Sequence, residues 1–364
     1  MKLLRKAVEV GYQLRRDGIF ERTKENVKLA HDEFVRLARW VDSRGLSKIL
    51  LNCRENRKDL GFEISNAAGF DKNGNIPPVF LKYLGFDRIV IGTVTYDKYD
   101  GNSGNTIKRY PETESLVNWM KLPGPGAKPV ADNMNEFGEH GVPVTVNLMS
   151  TPEKQGDELL RDLEGTVLET RDLHKVSRFE LNISCPNTHS STGGDSRNEY
   201  QSGMLDMVKV VRGAMHIGQE LDIKVSPDLG WQDVQDIVRI CAEYNKKSAI
   251  NLPGGGNLEG IRAFTTTNTT AIYDPRFITS PPNPEGRGGA SGEALYKRAS
   301  DVQSMFEDFI RMGNYKLYIN ACGGINSAER AKERTKGEDV VGIQIFTPLI
   351  FKGPRLLREL RSVK

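Results

Sequence analysis

The chain has 364 residues, 27% charged and 38% hydrophobic, which is a globular rather than a disordered composition. Its 51 lysines and arginines nearly balance 48 aspartates and glutamates, so the net charge of +3 leaves no nucleic-acid footprint. Cys53, Cys185, Cys241 and Cys322 form no C-x-x-C pair, which argues against a zinc site or a disulfide framework and for a reducing, cytoplasmic setting.

No run of about eighteen apolar residues is present, so no membrane-spanning helix is expected, and neither is a signal peptide. Residues 1–60 read as helices. Leu3, Leu4, Ala7, Val8, Val10, Tyr12 and Leu14 make an apolar face among Lys2, Arg5, Lys6, Arg15 and Arg16. A second helix is predicted over residues 21–41, with Val27, Ala30, Phe34, Leu37, Ala38 and Trp40 near helical spacing. A basic amphipathic segment of this kind can lie on an anionic membrane surface or pack against its own domain.

From Glu63 onward the pattern becomes short apolar or β-branched runs separated by helical stretches. Strands are predicted over residues 64–68, 88–94, 144–148, 179–183, 223–225, 263–267, 317–321 and 340–345. Helices are predicted over 156–171, 203–220, 231–244, 292–312 and 327–336. Eight strands alternating with helices predict an α/β fold, a (β/α)8 TIM barrel over residues 61–364 with an N-terminal helical extension over 1–60. Residues 96–141 and 270–292 are excursions rich in Gly, Pro and Asn, long enough to form lids or ligand walls. A third insertion covers residues 251–260, where a surface loop is expected.

Polar and glycine-rich motifs fall just after these strands. They are A-A-G-F-D-K-N-G (67–74), G-T-V-T (92–95), Asn147, L-N-I-S-C-P-N-T (181–188), K-V-S-P-D (224–228), T-N-T-T (267–270), C-G-G-I (322–325) and Q-I-F-T (344–347). In a barrel such strand ends converge on one mouth, where active sites form. Gly323, Gly324, Gly292 and Thr347 together favour a phosphate-bearing cofactor, because glycines let backbone N–H groups approach phosphate oxygens. Lys72 and Lys224 can hold negative charge on a reduced ring cofactor or a substrate carboxylate. Asn182 and Asn187 each offer one acceptor and two donors to a planar, imide-like edge. Cys185 between them suits a nucleophile or a proton-abstracting base, and equally a small buried cysteine beside a polar turn. H-E-x-x-H is absent, so metal-assisted hydrolysis lacks ligands.

From Gly61 to Pro354 these motifs, with G-G-A-S-G (288–292) and F-K-G-P (351–354), resemble the dihydroorotate dehydrogenases in order and spacing. The resemblance implies an FMN-dependent (β/α)8 barrel that oxidises dihydroorotate to orotate in de novo pyrimidine biosynthesis. It implies flavin contacts from Ala68, Gly69, Phe70, Asp71, Thr93, Asn147, Asn182, Lys224, Thr267, Gly292, Gly323, Gly324, Phe346 and Thr347. It places dihydroorotate on Lys72, Asn118, Asn182, Asn187, Asn268 and Thr269, with Cys185 as catalytic base. The helical N-terminus, with His31 in A-H-D-E and Arg109 in K-R-Y, resembles the quinone-reducing class, which implies a quinone acceptor and peripheral contact with the cytoplasmic face of the membrane. Cysteine as the base, with N-x-M-x-L-P (118–123), resembles the soluble class that reduces fumarate or another soluble acceptor. Lys121 replaces a usual glycine, residues 148–151 lack the usual G-K-N, and residues 189–194 replace the usual P-G-L-R-like run. Two further readings therefore stand beside dihydroorotate: an FMN oxidoreductase of another reduced pyrimidine, and a flavin-binding relative without turnover.

Overall fold

Phe179 and Leu181 leave their strand on one side, and Arg178, Glu180 and Asn182 leave it on the other; the same alternation continues around the sheet. The computed structural model describes residues 27–47, 60–183, 196–250 and 260–362, with backbone only for 196–202 and 248–250. In chain order it contains α1 (Val27–Ser43), β1 (Glu63–Asn66), α2 (Pro78–Leu84), β2 (Ile89–Val94), β3 (Ile107–Tyr110), β4 (Ser115–Asn118), α3 (Ala127–Asn135) and β5 (Val144–Leu148). There follow α4 (Gly156–Thr170), β6 (Val176–Asn182), α5 (Ser196–Ala214), β7 (Glu220–Val225), α6 (Trp231–Ile250), β8 (Ile261–Thr266) and β9 (Gly289–Gly292). The last elements are α7 (Glu293–Met312), β10 (Tyr318–Cys322), α8 (Ala328–Arg334), β11 (Val340–Ile345), α9 (Thr347–Lys352) and α10 (Arg355–Leu360).

Eight of these strands form one parallel sheet in the order β1-β11-β10-β8-β7-β6-β5-β2. Its two edges meet: Ser65 bridges Arg88 and Asp71 bridges Ile91. The Asn66 side chain completes the seam as a strand would. Its Nδ2 donates to the Val90 carbonyl at 2.6 Å, and the Val90 N–H donates to its Oδ1 at 3.0 Å. The result is the predicted (β/α)8 barrel. Ile64, Ile89, Val146, Phe179, Ile223, Phe264 and Ile343 turn outward into the layer beneath the helices. On α1, Phe34 meets Phe70 and Phe80 edge-on, at 5.7 and 5.9 Å between ring centroids.

The interior of a TIM barrel is ordinarily filled by branched aliphatics. Here its N-terminal end is filled by ions. Arg178 meets Glu63 at 2.9 Å and Glu220 at 2.7 Å, Arg88 meets Glu63 at 3.2 Å, and Arg262 meets Asp222 at 2.5 Å. Desolvation alone would raise the Glu63 carboxyl, but Arg178 and Arg88 hold it down at about 2.

The predicted strands over 144–148 and 340–345 match β5 and β11 as they stand. The predicted fifth strand starts three residues late, because its first inward residues, Glu220 and Asp222 in β7, are charged. The helix predicted over 203–220 ends at Ala214, since Glu220 already belongs to β7. The two excursions are not merely loops. β3, β4 and β9 form a three-stranded antiparallel sheet, with Ser115 opposite Gly292 and Asn118 opposite Gly289. Residues 1–26 and 251–259 lie outside the described residues. Among the described ones, no helix is long and apolar enough to cross a membrane.

Two outcomes follow. Asn66→Ala strands the Val90 N–H and carbonyl at the seam, and should lower stability in urea denaturation by about 3 kcal/mol. His140, buried against the His174 ring at 4.9 Å, is held down to about 4 by desolvation first and His174 second. The unfolded chain takes up this proton below its own value near 6.5 and the folded chain does not. Stability is therefore intact above about 6.5 and falls as pH drops toward 4, by roughly 2–3 kcal/mol. His140→Leu should flatten that limb of the stability–pH curve.

Candidate functional site

Parallel strands all point their C-terminal ends the same way, so the residues just beyond them gather on one face. There they wall a cavity of about 1780 Å³. Ala68, Gly69, Phe70 and Lys72 come from the turn after β1, and Thr93 from β2. Asn182 ends β6, Lys224 lies in β7, and Thr267, Asn268 and Thr269 follow β8. Gly323 and Gly324 follow β10, and Phe346 and Thr347 follow β11. Asn118 and Gly292 close the cavity from the antiparallel sheet, where the Asn118 Nδ2 donates to the Gly289 carbonyl at 3.3 Å. His31, Phe34 and Leu37 of α1, with Arg109, Leu349 and Ile350, line the same space. Burial lowers the His31 imidazole despite Asp32 beside it, and lowers Arg109 too. Phe70 connects the two walls, meeting Phe34 and Phe346 edge-on at 5.7 Å each.

Two of the expected contacts stand behind the wall. Asp71 is fully buried and accepts the Asn75 N–H at 3.0 Å; desolvation pushes its carboxyl up to about 7. Asn147 is fully buried, with its Nδ2 donating to Glu180 at 2.7 Å and its Oδ1 without a partner. Cys185, Asn187 and the altered run 189–194 lie outside the described residues.

One corner of the cavity is shaped for an anion. The carbonyls of Cys322 and Gly323 accept from Arg334 at 3.3 and 3.1 Å, and that of Gly324 accepts from Arg330 at 3.1 Å. A planar trans peptide points its N–H opposite to its carbonyl. The N–H groups of Gly323, Gly324 and Ile325 are therefore turned away from the arginines, and all three residues line the cavity. Gly324 sits at φ +68°, and a Cβ there would meet the Gly292 carbonyl at 2.8 Å, so the loop after β10 and the end of β9 touch backbone to backbone. Donors converging at one corner, with the unpartnered Asn147 Oδ1 behind the wall, fit a ring cofactor carrying a phosphate.

A family model for dihydroorotate dehydrogenase matches residues 56–362. The chain belongs to the dihydroorotate dehydrogenase family. A relative in Thermosynechococcus vestitus, named dihydroorotate dehydrogenase (quinone), is 26% identical over 370 residues, covering 97% of this chain and 96% of its own. One of the same name in Neisseria meningitidis is 28% identical, covering 86% of this chain and 89% of its own. In structure the chain is similar to DHODH from Eimeria tenella. The ferulenol complex has a TM-score of 0.72 at 20% identity, covering 92% of this chain and 89% of that one. The ligand-free form has a TM-score of 0.73 at 20% identity, covering 93% and 94%. At that identity the likeness speaks for the fold.

The departures from the dihydroorotate dehydrogenase pattern have local structural accounts. Lys121 and Leu122 sit at φ 57° and 60°, a conformation that glycine adopts without cost, and Lys121 faces Glu153 at 3.6 Å. The run after Asn147 turns toward α4 instead of the cavity, with the Thr151 N–H and hydroxyl both donating to Asp162 at 2.8 Å.

Three site features escaped the sequence reading: the antiparallel sheet, Glu180 and Arg334. The signal for Glu180 was the alternation R-F-E-L-N itself. For Arg334 there was none, because it is a helical arginine that happens to point inward. Arg334 is 2% exposed and donates to the Thr266 carbonyl at 3.0 Å and to Gln303 Oε1 at 2.7 Å. Burial lowers it to about 10, so it stays charged at neutral pH. Arg334→Met removes the charged donor from three strand-end carbonyls. It should cost about 4 kcal/mol, read as a lowered melting midpoint, with Arg334→Lys recovering part.

Proposed function

We propose that this chain oxidises dihydroorotate to orotate in pyrimidine biosynthesis, with FMN as its cofactor and a quinone as electron acceptor. The observation that carries this reading is one cavity with two kinds of wall: strand-end lysines, asparagines and glycines on one side, and the α1 side chains with His31 and Arg109 on the other. The named relatives, called dihydroorotate dehydrogenase (quinone), support the same reading.

Bound FMN would supply a two-electron acceptor for the hydride from C6 of dihydroorotate and a donor for the second substrate. Everything else falls to the chain. Gly292, the N–H groups of Gly323 and Gly324, and Thr347 take the phosphate, and Ala68, Gly69, Phe70, Thr93, Asn182, Thr267 and Phe346 form the walls around the ring. Asp71 and Asn147 support those walls from behind. Lys72 offers positive charge to the substrate carboxylate, while Asn118, Asn182, Asn187, Asn268 and Thr269 grip its imide and carboxylate edges. Cys185 takes the C5 proton. Residues 1–60 form the extension that leads an apolar quinone tail past His31 and Arg109, with a basic face against anionic lipid at the cytoplasmic surface.

The purified chain should be yellow with noncovalent flavin, and dihydroorotate should bleach it without oxygen. Cys185→Ala should keep the flavin but slow bleaching roughly a hundredfold or more, the scale of losing a general base. In the intact protein the bleaching rate should climb with pH toward the thiol value of about 8.5. Arg109→Ala, or deletion of residues 1–26, should leave bleaching intact and slow reoxidation by a quinone with an apolar tail. Preference for fumarate over quinone would overturn the acceptor assignment; folded protein that binds no flavin would overturn the whole.

A further inference from the structure

Glu180 is fully buried inside the barrel, one layer behind the cavity wall. Four groups from four other strands face its carboxyl. Asn147 Nδ2 of β5 donates to Oε1 at 2.7 Å, Thr265 Oγ1 of β8 to Oε2 at 2.5 Å, and Gln344 Nε2 of β11 to Oε2 at 2.6 Å. Lys224 Nζ of β7 stands 3.9 Å from Oε1 and donates to the Gln344 Oε1 at 3.3 Å. The Thr265 hydroxyl also accepts from Asn320 Nδ2 at 3.5 Å, so its own proton is the one directed at Glu180. All four neighbours are donors, which is the environment of a carboxylate.

Lys224 lines the cavity and Glu180 does not. A ligand ring against that wall meets an ammonium group whose charge is offset by a carboxylate 3.9 Å behind it, in surroundings where charge is poorly screened. We propose that Glu180 sets the reduction potential of the bound flavin by neutralising Lys224. It touches no ligand itself; its negative charge is felt at the ring together with, and against, that of the lysine, and the proposal rests on the flavin reading above. A reduced flavin carries more negative charge than an oxidised one. Bare Lys224 would favour the reduced form; Lys224 paired with Glu180 favours it much less. The carboxylate thus keeps the potential low enough for electrons to pass on readily to the acceptor.

Glu180→Gln removes the charge and keeps the shape. Asn147 and Gln344 are amides that can rotate to present oxygen to the new NH2 group, so the cross-links between strands can be remade. The measurement is the midpoint potential of FMN bound to the full-length protein, taken by anaerobic titration against a reference dye. Wild-type protein is titrated first, and failure to bind FMN there would remove the flavin reading and this proposal together, before any variant is made. With flavin bound, Glu180→Gln should favour the reduced form at least tenfold more than wild type, about 30 mV upward for a two-electron couple. Lys224→Gln should shift it downward, and the double variant Glu180→Gln/Lys224→Gln should lie at least about 30 mV above Lys224→Gln alone, near wild type. That second comparison stands even where Glu180→Gln alone does not fold, because in Lys224→Gln the carboxylate keeps its hydrogen bonds from Asn147, Thr265 and Gln344, and the double variant replaces the whole buried ion pair. A folded, flavin-bound Glu180→Gln at the wild-type potential, or a double variant matching Lys224→Gln, would reduce Glu180 to a cross-link between strands and overturn the proposal.

Discussion

Closing eight parallel strands into a barrel creates an interior that side chains must fill, and in this chain the filling is ionic. At the N-terminal end Arg88, Arg178 and Arg262 interleave with Glu63, Glu220 and Asp222; toward the mouth Glu180 faces Lys224. Buried ion pairs contribute little net stability, since desolvation offsets most of their attraction. What they impose is register. A strand slipped by one residue would turn its charges outward under the helices and its aliphatics inward against arginines. Stability comes instead from the outer layer, where Phe179, Ile223, Phe264 and Ile343 are sealed beneath the helices.

The same constraint delivers the chemistry. Because inward positions recur every second residue, the series Arg178, Glu180, Asn182 and the series Glu220, Asp222, Lys224 each climb one strand from the base to the cavity. Asn182 and Lys224 are neighbours in register at the top. Ligand-facing groups are thus the last members of ladders whose lower members lock the strands. The arginines at the phosphate corner work likewise from behind: Arg334 and Arg330 hold the carbonyl side of the Gly323–Gly324 turn, and the opposite edge is left for the ligand.

Much of this was legible beforehand, and where it was not the reasons are physical. Val144–Leu148 and Val340–Ile345 are dominated by aliphatics, and their bounds agree with the structure. Glu220–Asp222 was missed as strand because inward charge hides a strand from a search for apolar runs; alternation was the better signal. The strand-end motifs did converge, since parallel topology leaves them no other place to go, and eighteen of the named site residues line one cavity, from His31 to Thr347. Arg334 could not be found from its helix, because nothing local distinguishes an inward arginine from a solvated one. Strands β3, β4 and β9 have four residues each and owe their existence to partners far away in sequence.

That last distance has a consequence for how the molecule assembles. Asn118 and Gly289, hydrogen-bonded across the antiparallel sheet, are 171 residues apart, and four of the eight barrel strands lie between them. Bringing such remote segments together directly would carry a large loop-closure entropy; once β5 through β8 have paired with their neighbours, most of that loop is already spent. Loop-closure entropy therefore favours pairing β4 with β9 after the barrel strands between them, so that the roof over the mouth is completed last. Until that step the cavity stands open to solvent, so a ligand present during folding meets the strand-end wall before the cover exists.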